Sequence, residues 1–221
     1  MQDVAEKIAT CVARGKISKA FWYPPEMKDQ DGADEIAAEA LKNGVQPGVL
    51  LDGCMLGMER VGKEFGEGTA FVTNLLVSAE AMNAVLKHIK PFLESGEVKR
   101  KGKFVIGTVT GDMHDIGKNL VSMIIKGGGF EVIDLGVDVP TKKFLDAIAQ
   151  NPGCFVGLSA LLTTTKPNME NSVKAIKAAY PDTKVLIGGA PITQDFCTHI
   201  GADFYSPNPQ DAVAYLNKSA S

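Results

Sequence analysis

His114 stands between two carboxylates in the stretch Gly111-Asp112-Met113-His114-Asp115-Ile116-Gly117, with Lys118 and Asn119 directly behind. Neutral imidazole is the commonest metal-binding side chain. Its second nitrogen usually donates to a carboxylate, which fixes the tautomer and raises the basicity of the ligand. Asp112, two residues before His114, is spaced for that role. The stretch from Lys103 to Val109 is apolar and β-rich and reads as a buried strand. Asn119 to Lys126 carries Leu120, Ile124 and Ile125 on one helical face. The histidine loop therefore joins the carboxyl end of a strand to the start of a helix, where open parallel α/β sheets bind ligands.

Three familiar readings of this loop fail. A phosphate-binding loop needs two glycines four apart followed by Lys and Ser/Thr. Here Gly111 and Gly117 enclose five residues, Asn119 takes the hydroxyl's place, and Asp112 and Asp115 would repel a triphosphate. The dinucleotide fingerprint G-x-G-x-x-G is absent. A phospho-acceptor receiver would need an Asp at the end of its third strand, where this chain has Ser159. The loop on its own leaves two possibilities, a ligand to a metal or cofactor and a solvated histidine with no ligand.

Three pieces taken together narrow this. Asp112-x-His114-x-x-Gly117, Ser159-x-Leu161 and Gly188-Gly189 fall at the ends of the expected first, third and fourth strands. They resemble the cobalamin-binding fingerprint D-x-H-x-x-G … S-x-L … G-G. The two-part layout of nearly the whole chain is similar to the corrinoid proteins of methyltransferase systems, and the cobalamin module is similar to that of methionine synthase. The resemblance implies that His114 ligates cobalt from below, displacing the cofactor's own dimethylbenzimidazole. It implies that Asp112 bonds the other ring nitrogen, and that Ser159 extends the relay. It also implies a groove for the displaced nucleotide tail. Gly117, Gly188 and Gly189 allow close backbone approach there. Gly111, Met113, Asp115, Ile116, Leu161, Thr163, Thr164, Ala190, Pro191 and Tyr205 are further candidates to line the site.

The elements that must position these residues follow in order. With 221 residues and 45% hydrophobic content, one large domain or two small ones with packed cores are expected. Residues 1–94 read as a four-helix bundle. Val4, Ile8 and Val12 repeat at four, Asp31–Leu41 forms a second helix, Pro47 opens a third toward Phe65, and Leu75 to Phe92 gives an amphipathic fourth. Phe21-Trp22-Tyr23-Pro24-Pro25 fits none of these helices. Residues 95–102 read as a linker. Residues 103–221 alternate strands (103–109, 130–135, 154–159, 184–188, 202–205) with helices (117–127, 141–150, 168–180, 193–200, 209–218). That pattern predicts a flavodoxin-like, Rossmann-type, five-stranded parallel sheet of order 2-1-3-4-5. The resemblance makes the bundle a cap over the upper corrin face, with Met58, Phe65 and Phe71 as candidate contacts. His88 and His199 read as solvated.

Net charge is −3 with no basic face, which argues against nucleic acid. No signal peptide or membrane span is apparent, and Cys11, Cys54, Cys154 and Cys197 lack C-x-x-C spacing. Reduced, mostly buried thiols in a cytoplasmic protein are expected. The resemblance implies a methyl carrier rather than a stand-alone enzyme, cycling between Co(I) and methyl–Co(III). It would accept methyl from a donor on a substrate-specific methyltransferase and deliver it to a second methyltransferase acting on tetrahydrofolate or coenzyme M, with a reductive activase as a further partner. The alternative is a cobalamin-responsive sensor module, although no DNA-binding segment is visible. A mutase small subunit usually lacks the cap, and a mononuclear metal site at Asp112, His114 and Asp115 leaves Ser159 and Gly188-Gly189 without a purpose.

Overall fold

The computed structural model describes residues 2–96 and 98–220; Met1, Ser221 and Glu97, the last within the expected linker, lie outside the described residues. The chain divides into two compact units, Met1–Arg100 with Gly127–Gly129, and Lys101–Lys126 with Phe130–Ser221.

The first unit holds α1 (Gln2–Arg14), α2 (Ala33–Lys42), α3 (Pro47–Gly66) and α4 (Val72–Glu94). Ile8, Val12, Leu50, Cys54, Leu75 and Val85 are fully buried among them. Small residues bring α1 against α3: a Cβ on Gly57 would lie 2.6 Å from Val12 Cβ and 2.7 Å from the Ala9 carbonyl. The helix starts are capped locally. Glu35 accepts from the Gly32 amide at 2.9 Å, and Asn74 Oδ1 accepts from the Phe71 amide at 2.9 Å. The aromatic segment before α2 is ordered by Lys16, fully buried, whose Nζ donates to the Phe21 carbonyl at 2.7 Å. Tyr23 is half-buried and its hydroxyl accepts from Asn74, whereas Trp22 is exposed. His88 departs from expectation: its Nε2 pairs with Asp34 Oδ1 at 2.8 Å, a partner contributed by α2 and remote in sequence.

The second unit carries β1 (Lys103–Thr108), β2 (Glu131–Asp134), β3 (Phe155–Ser159), β4 (Val185–Gly188) and β5 (Phe204–Tyr205), all parallel in the order β2-β1-β3-β4-β5, as expected. Side chains alternate across a strand, so each face collects its own helices. Val105, Val156, Leu158, Val185 and Ile187 pack against α6 (Thr141–Gln150), α7 (Lys166–Ala179) and α8 (Gln194–Ile200). Phe104, Ile106 and Leu186 pack against α5 (Ile116–Gly127) and α9 (Pro209–Ser219). The α7 helix begins at Lys166 rather than 168, because a 3₁₀ turn over Thr163–Thr165 runs straight into it. All four cysteines are free and buried. Burial pushes the thiol of Cys54 up to about 12 and that of Cys11 up to about 11. No helix among the described residues is long and apolar enough to cross a membrane.

Candidate cofactor site

The β1–α5 loop is held from several sides. Thr108 Oγ1 donates to the His114 carbonyl at 2.9 Å. The Gly111 amide donates to Asp138 Oδ1 at 2.7 Å, and Asn168 Nδ2 donates to the Thr110 carbonyl at 2.8 Å. Gly111 has φ +83°, a left-handed conformation that glycine adopts without penalty.

Asp112 is fully buried and accepts five hydrogen bonds. Its Oδ1 takes the His114 amide at 3.1 Å and lies 2.8 Å from His114 Nδ1. Its Oδ2 takes the amides of Leu161 at 2.7 Å and Leu162 at 3.1 Å, and the Thr165 hydroxyl at 3.0 Å. Burial works to raise the carboxyl's pKa, but the bonds from His114, Leu161 and Leu162 overcome it and hold the group well below the usual carboxylate range. An ionised carboxylate only accepts. The proton of a neutral His114 therefore sits on Nδ1, leaving the Nε2 lone pair free on a side chain that is half exposed. Asp115 is tied to Asn119, which donates to its Oδ2 at 3.1 Å. Met113, Ile116, Leu161 and Leu162 lie on the surface beside this pair.

The relay is a correction. Ser159 is not among the groups bonded to Asp112; Thr165 takes that place. Ser159 is the last residue of β3, in register with Thr108 and Gly188. Its side chain therefore points to the α5/α9 face, while Asp112 is reached from the segment that follows the strand. Thr165 is buried and, beyond Asp112, lies 2.9 Å from the Leu162 carbonyl; its single hydroxyl proton serves one acceptor at a time. The signal was a run of three threonines opening a helix, of which the sequence reading used only Thr163 and Thr164. Thr163 itself is exposed.

On the α5/α9 face a cleft of about 300 Å³ opens at the carboxyl ends of the strands. Gly117, Ser159, Gly188, Gly189, Ala190 and Tyr205 line it together. Gly189 has φ +126°, and a Cβ there would lie 1.8 Å from the Ala160 carbonyl oxygen, so only glycine fits. Sequence reasoning missed Lys118. Its buried ammonium lines the cleft, pairs with Asp134 and donates to Asn119 Oδ1 at 2.7 Å. Of the three expected cap contacts in the first unit, Met58 is buried, Phe65 half-buried and Phe71 73% exposed; only the last offers an open ring.

With this geometry in view, comparison with known proteins is informative. Residues 102–214 match the family model described as B12 binding domain, and residues 28–90 match a second model of the same description. Trimethylamine corrinoid protein 1 of Methanosarcina mazei is 42% identical over 191 residues, covering 84% of this chain and 88% of that protein. A cobalamin-binding protein from Desulfitobacterium hafniense DCB-2 superposes with TM-score 0.70 at 34% identity, over 83% of this chain and 89% of that one. The methanol:cobalamin methyltransferase complex MtaBC from Methanosarcina barkeri gives TM-score 0.82 at 28% identity, over 99% of this chain and 80% of the matched chain. The chain belongs to the corrinoid proteins with a B12-binding domain, and its cofactor is a corrinoid.

Proposed function

We propose that the chain is the methyl carrier of a corrinoid methyltransferase system, with His114 Nε2 as the protein's lower ligand to cobalt. The observation that carries this reading is the Asp112–His114 pair: a buried, ionised carboxylate holds Nδ1 and leaves Nε2 free and half exposed. The site fits the cofactor in a second respect. A cleft floored by glycines lies on the same unit and shares Gly117 with the histidine loop, which suits the displaced nucleotide tail.

When bound, the corrinoid supplies a cobalt centre that takes up and gives up a methyl group; the rest is the protein's work. Asp112 orients the imidazole and stabilises positive charge on it. When Nε2 is released it can take a proton, and the resulting imidazolium is held by Asp112 at Nδ1. Thr165 and the amides of Leu161 and Leu162 keep Asp112 ionised, so the pair manages that proton without a neighbouring base. The helical domain, residues 1–94, serves as a cap in which Phe71 presents an exposed ring. Residues 95–102 link it to residues 103–221, which hold the cofactor.

Relatives named as trimethylamine and dimethylamine corrinoid proteins, and a relative held in a methyltransferase complex, support a substrate-specific methyltransferase as donor-side partner. A second methyltransferase, acting on tetrahydrofolate or coenzyme M, and a reductive activase would be the carrier's further partners. The test is an ultraviolet–visible spectrum of protein reconstituted with hydroxocobalamin beside His114→Ala. An imidazole-ligated spectrum in wild type, lost in the variant, is expected. Absence of corrinoid binding by wild type would overturn the reading.

A further inference from the structure

Asp138 lies in the segment 135–140 between β2 and α6 and is exposed, yet its backbone is left-handed, with φ +51°. That region is costly for a residue with a Cβ, although aspartate tolerates it better than most. The connection is tied to β1 on both sides of this residue. Before it, the Leu135 amide donates to the Ile106 carbonyl at 2.8 Å and the Gly136 carbonyl accepts from the Thr108 amide at 3.0 Å. After it, the Val139 amide donates to the Thr108 carbonyl at 2.9 Å, and the Val139 side chain is buried.

What the left-handed residue adds is a two-point grip on the histidine loop. Its amide donates to the Asp112 carbonyl at 3.0 Å, and its Oδ1 accepts from the Gly111 amide at 2.7 Å. The two bonds bracket the Gly111–Asp112 backbone. A glycine can take many conformations at this point, and the grip selects one of them, with φ +83°. The Asp112 carboxylate then has both of its oxygens in reach of their partners: Oδ2 meets the Leu161 and Leu162 amides and the Thr165 hydroxyl, and Oδ1 meets His114 Nδ1. Backbone strain at an exposed residue is thus coupled to the aim of a buried one, as at sites where strain serves function.

We infer that Asp138 is a positioning residue for the cobalt ligand. It sets the Gly111–Asp112 backbone and, through the Asp112 carboxylate, the tautomer and orientation of the His114 imidazole. This role rests on the carrier reading, in which His114 Nε2 ligates cobalt. Asp138 itself touches neither the imidazole nor the metal; it acts through Asp112.

Cyanide displaces the lower ligand from protein-bound cobalamin, and the cyanide concentration at the spectral midpoint measures how firmly His114 holds cobalt. The comparison takes the full chain, His114→Ala, Asp138→Gly and Asp138→Asn, each reconstituted with cobalamin. Glycine keeps the left-handed backbone without strain and removes the acceptor, whereas asparagine keeps an Oδ1 acceptor and tolerates the same backbone. In Asp138→Gly the midpoint should fall on the order of tenfold, and in Asp138→Asn it should stay within about threefold of wild type. In the apo protein at mildly alkaline pH, ¹⁵N NMR of the His114 ring should show the proton on Nδ1 in wild type and Asp138→Asn, and a mixture of tautomers in Asp138→Gly. A wild-type midpoint in Asp138→Gly, an equal loss in folded Asp138→Asn, or an Asp138→Gly chain that fails to fold overturns the inference and leaves the carrier reading standing. A His114→Ala midpoint equal to that of wild type overturns the carrier reading and, with it, the role of Asp138 toward cobalt.

Discussion

Asp112 Oδ1 lies 2.8 Å from His114 Nδ1, while Asp112 Oδ2, on the other side of the same carboxylate, is held by two amides and the Thr165 hydroxyl. One oxygen faces the histidine and the other faces the β3–α7 segment. Anything that changes the second set of bonds therefore changes the charge available to the imidazole, without touching it.

Replacing Asp112 by Asn puts an amide NH₂ where donors already point. Because the Asp112 pKa is lowered in the folded state, its contribution to stability is present above the ordinary carboxylate range and is lost as pH falls through the lower folded value. Asp112→Asn should cost about 3 kcal/mol near neutral pH, from buried donors left unpaired. Urea unfolding across pH should show the gap to wild type closing as the solution is acidified below the carboxylate range. A gap that widens on acidification would contradict the assignment.

Thr165→Val removes one donor to Asp112 and keeps the shape of the side chain. The ionised carboxylate loses support, so the Asp112–His114 pair takes up a proton more readily. The midpoint for protonation of the Asp112 carboxyl, followed by carbon NMR, should rise toward the ordinary carboxylate range. Ser159→Ala, at a residue that makes no bond to Asp112, should leave that midpoint in place.

Lys118 and Asp134 form a pair with one partner buried and the other partly exposed. Lys118→Met replaces a buried ammonium by an apolar chain of similar length and should be close to neutral in thermal unfolding. Asp134→Ala leaves the ammonium buried without its counter-charge and should cost about 3 kcal/mol. The order of the two effects is the measurement; the reverse order would mean that the pair is not what places Lys118.

Gly189→Ala meets both a left-handed backbone and the Ala160 carbonyl. It should destabilise the fold by about 2 kcal/mol or more and weaken corrinoid binding with it. Gly44→Ala also sits at positive φ, but a Cβ there meets nothing within 4 Å, so its cost should be limited to backbone strain of about 1 kcal/mol. Differential scanning calorimetry on the two variants separates strain from collision.

The alternation of strands and helices made the sheet order legible, because each βα unit declares a parallel crossover locally. The spacing of Asp112 and His114 made their contact legible for the same reason: it is closed within one loop. What escaped was long-range. Thr165 reaches Asp112 across 53 positions, and His88 meets Asp34 across 54. No local periodicity announces either contact. The resemblance implied Ser159 as the relay, yet the strand's own alternation turns it toward the cleft. The aromatic run at Phe21 resisted assignment because its order depends on a buried lysine five residues upstream, a residue type that composition places on the surface.

In the proposed carrier a protein nitrogen, His114 Nε2, ligates cobalt. The most direct measurement is electron paramagnetic resonance of the Co(II) state in protein labelled with ¹⁵N-histidine and reconstituted with unlabelled cobalamin. Doublet superhyperfine splitting from the labelled imidazole is expected, absent in His114→Ala. A triplet from unlabelled nitrogen in the wild-type protein would place the cofactor's own benzimidazole on the metal and contradict it.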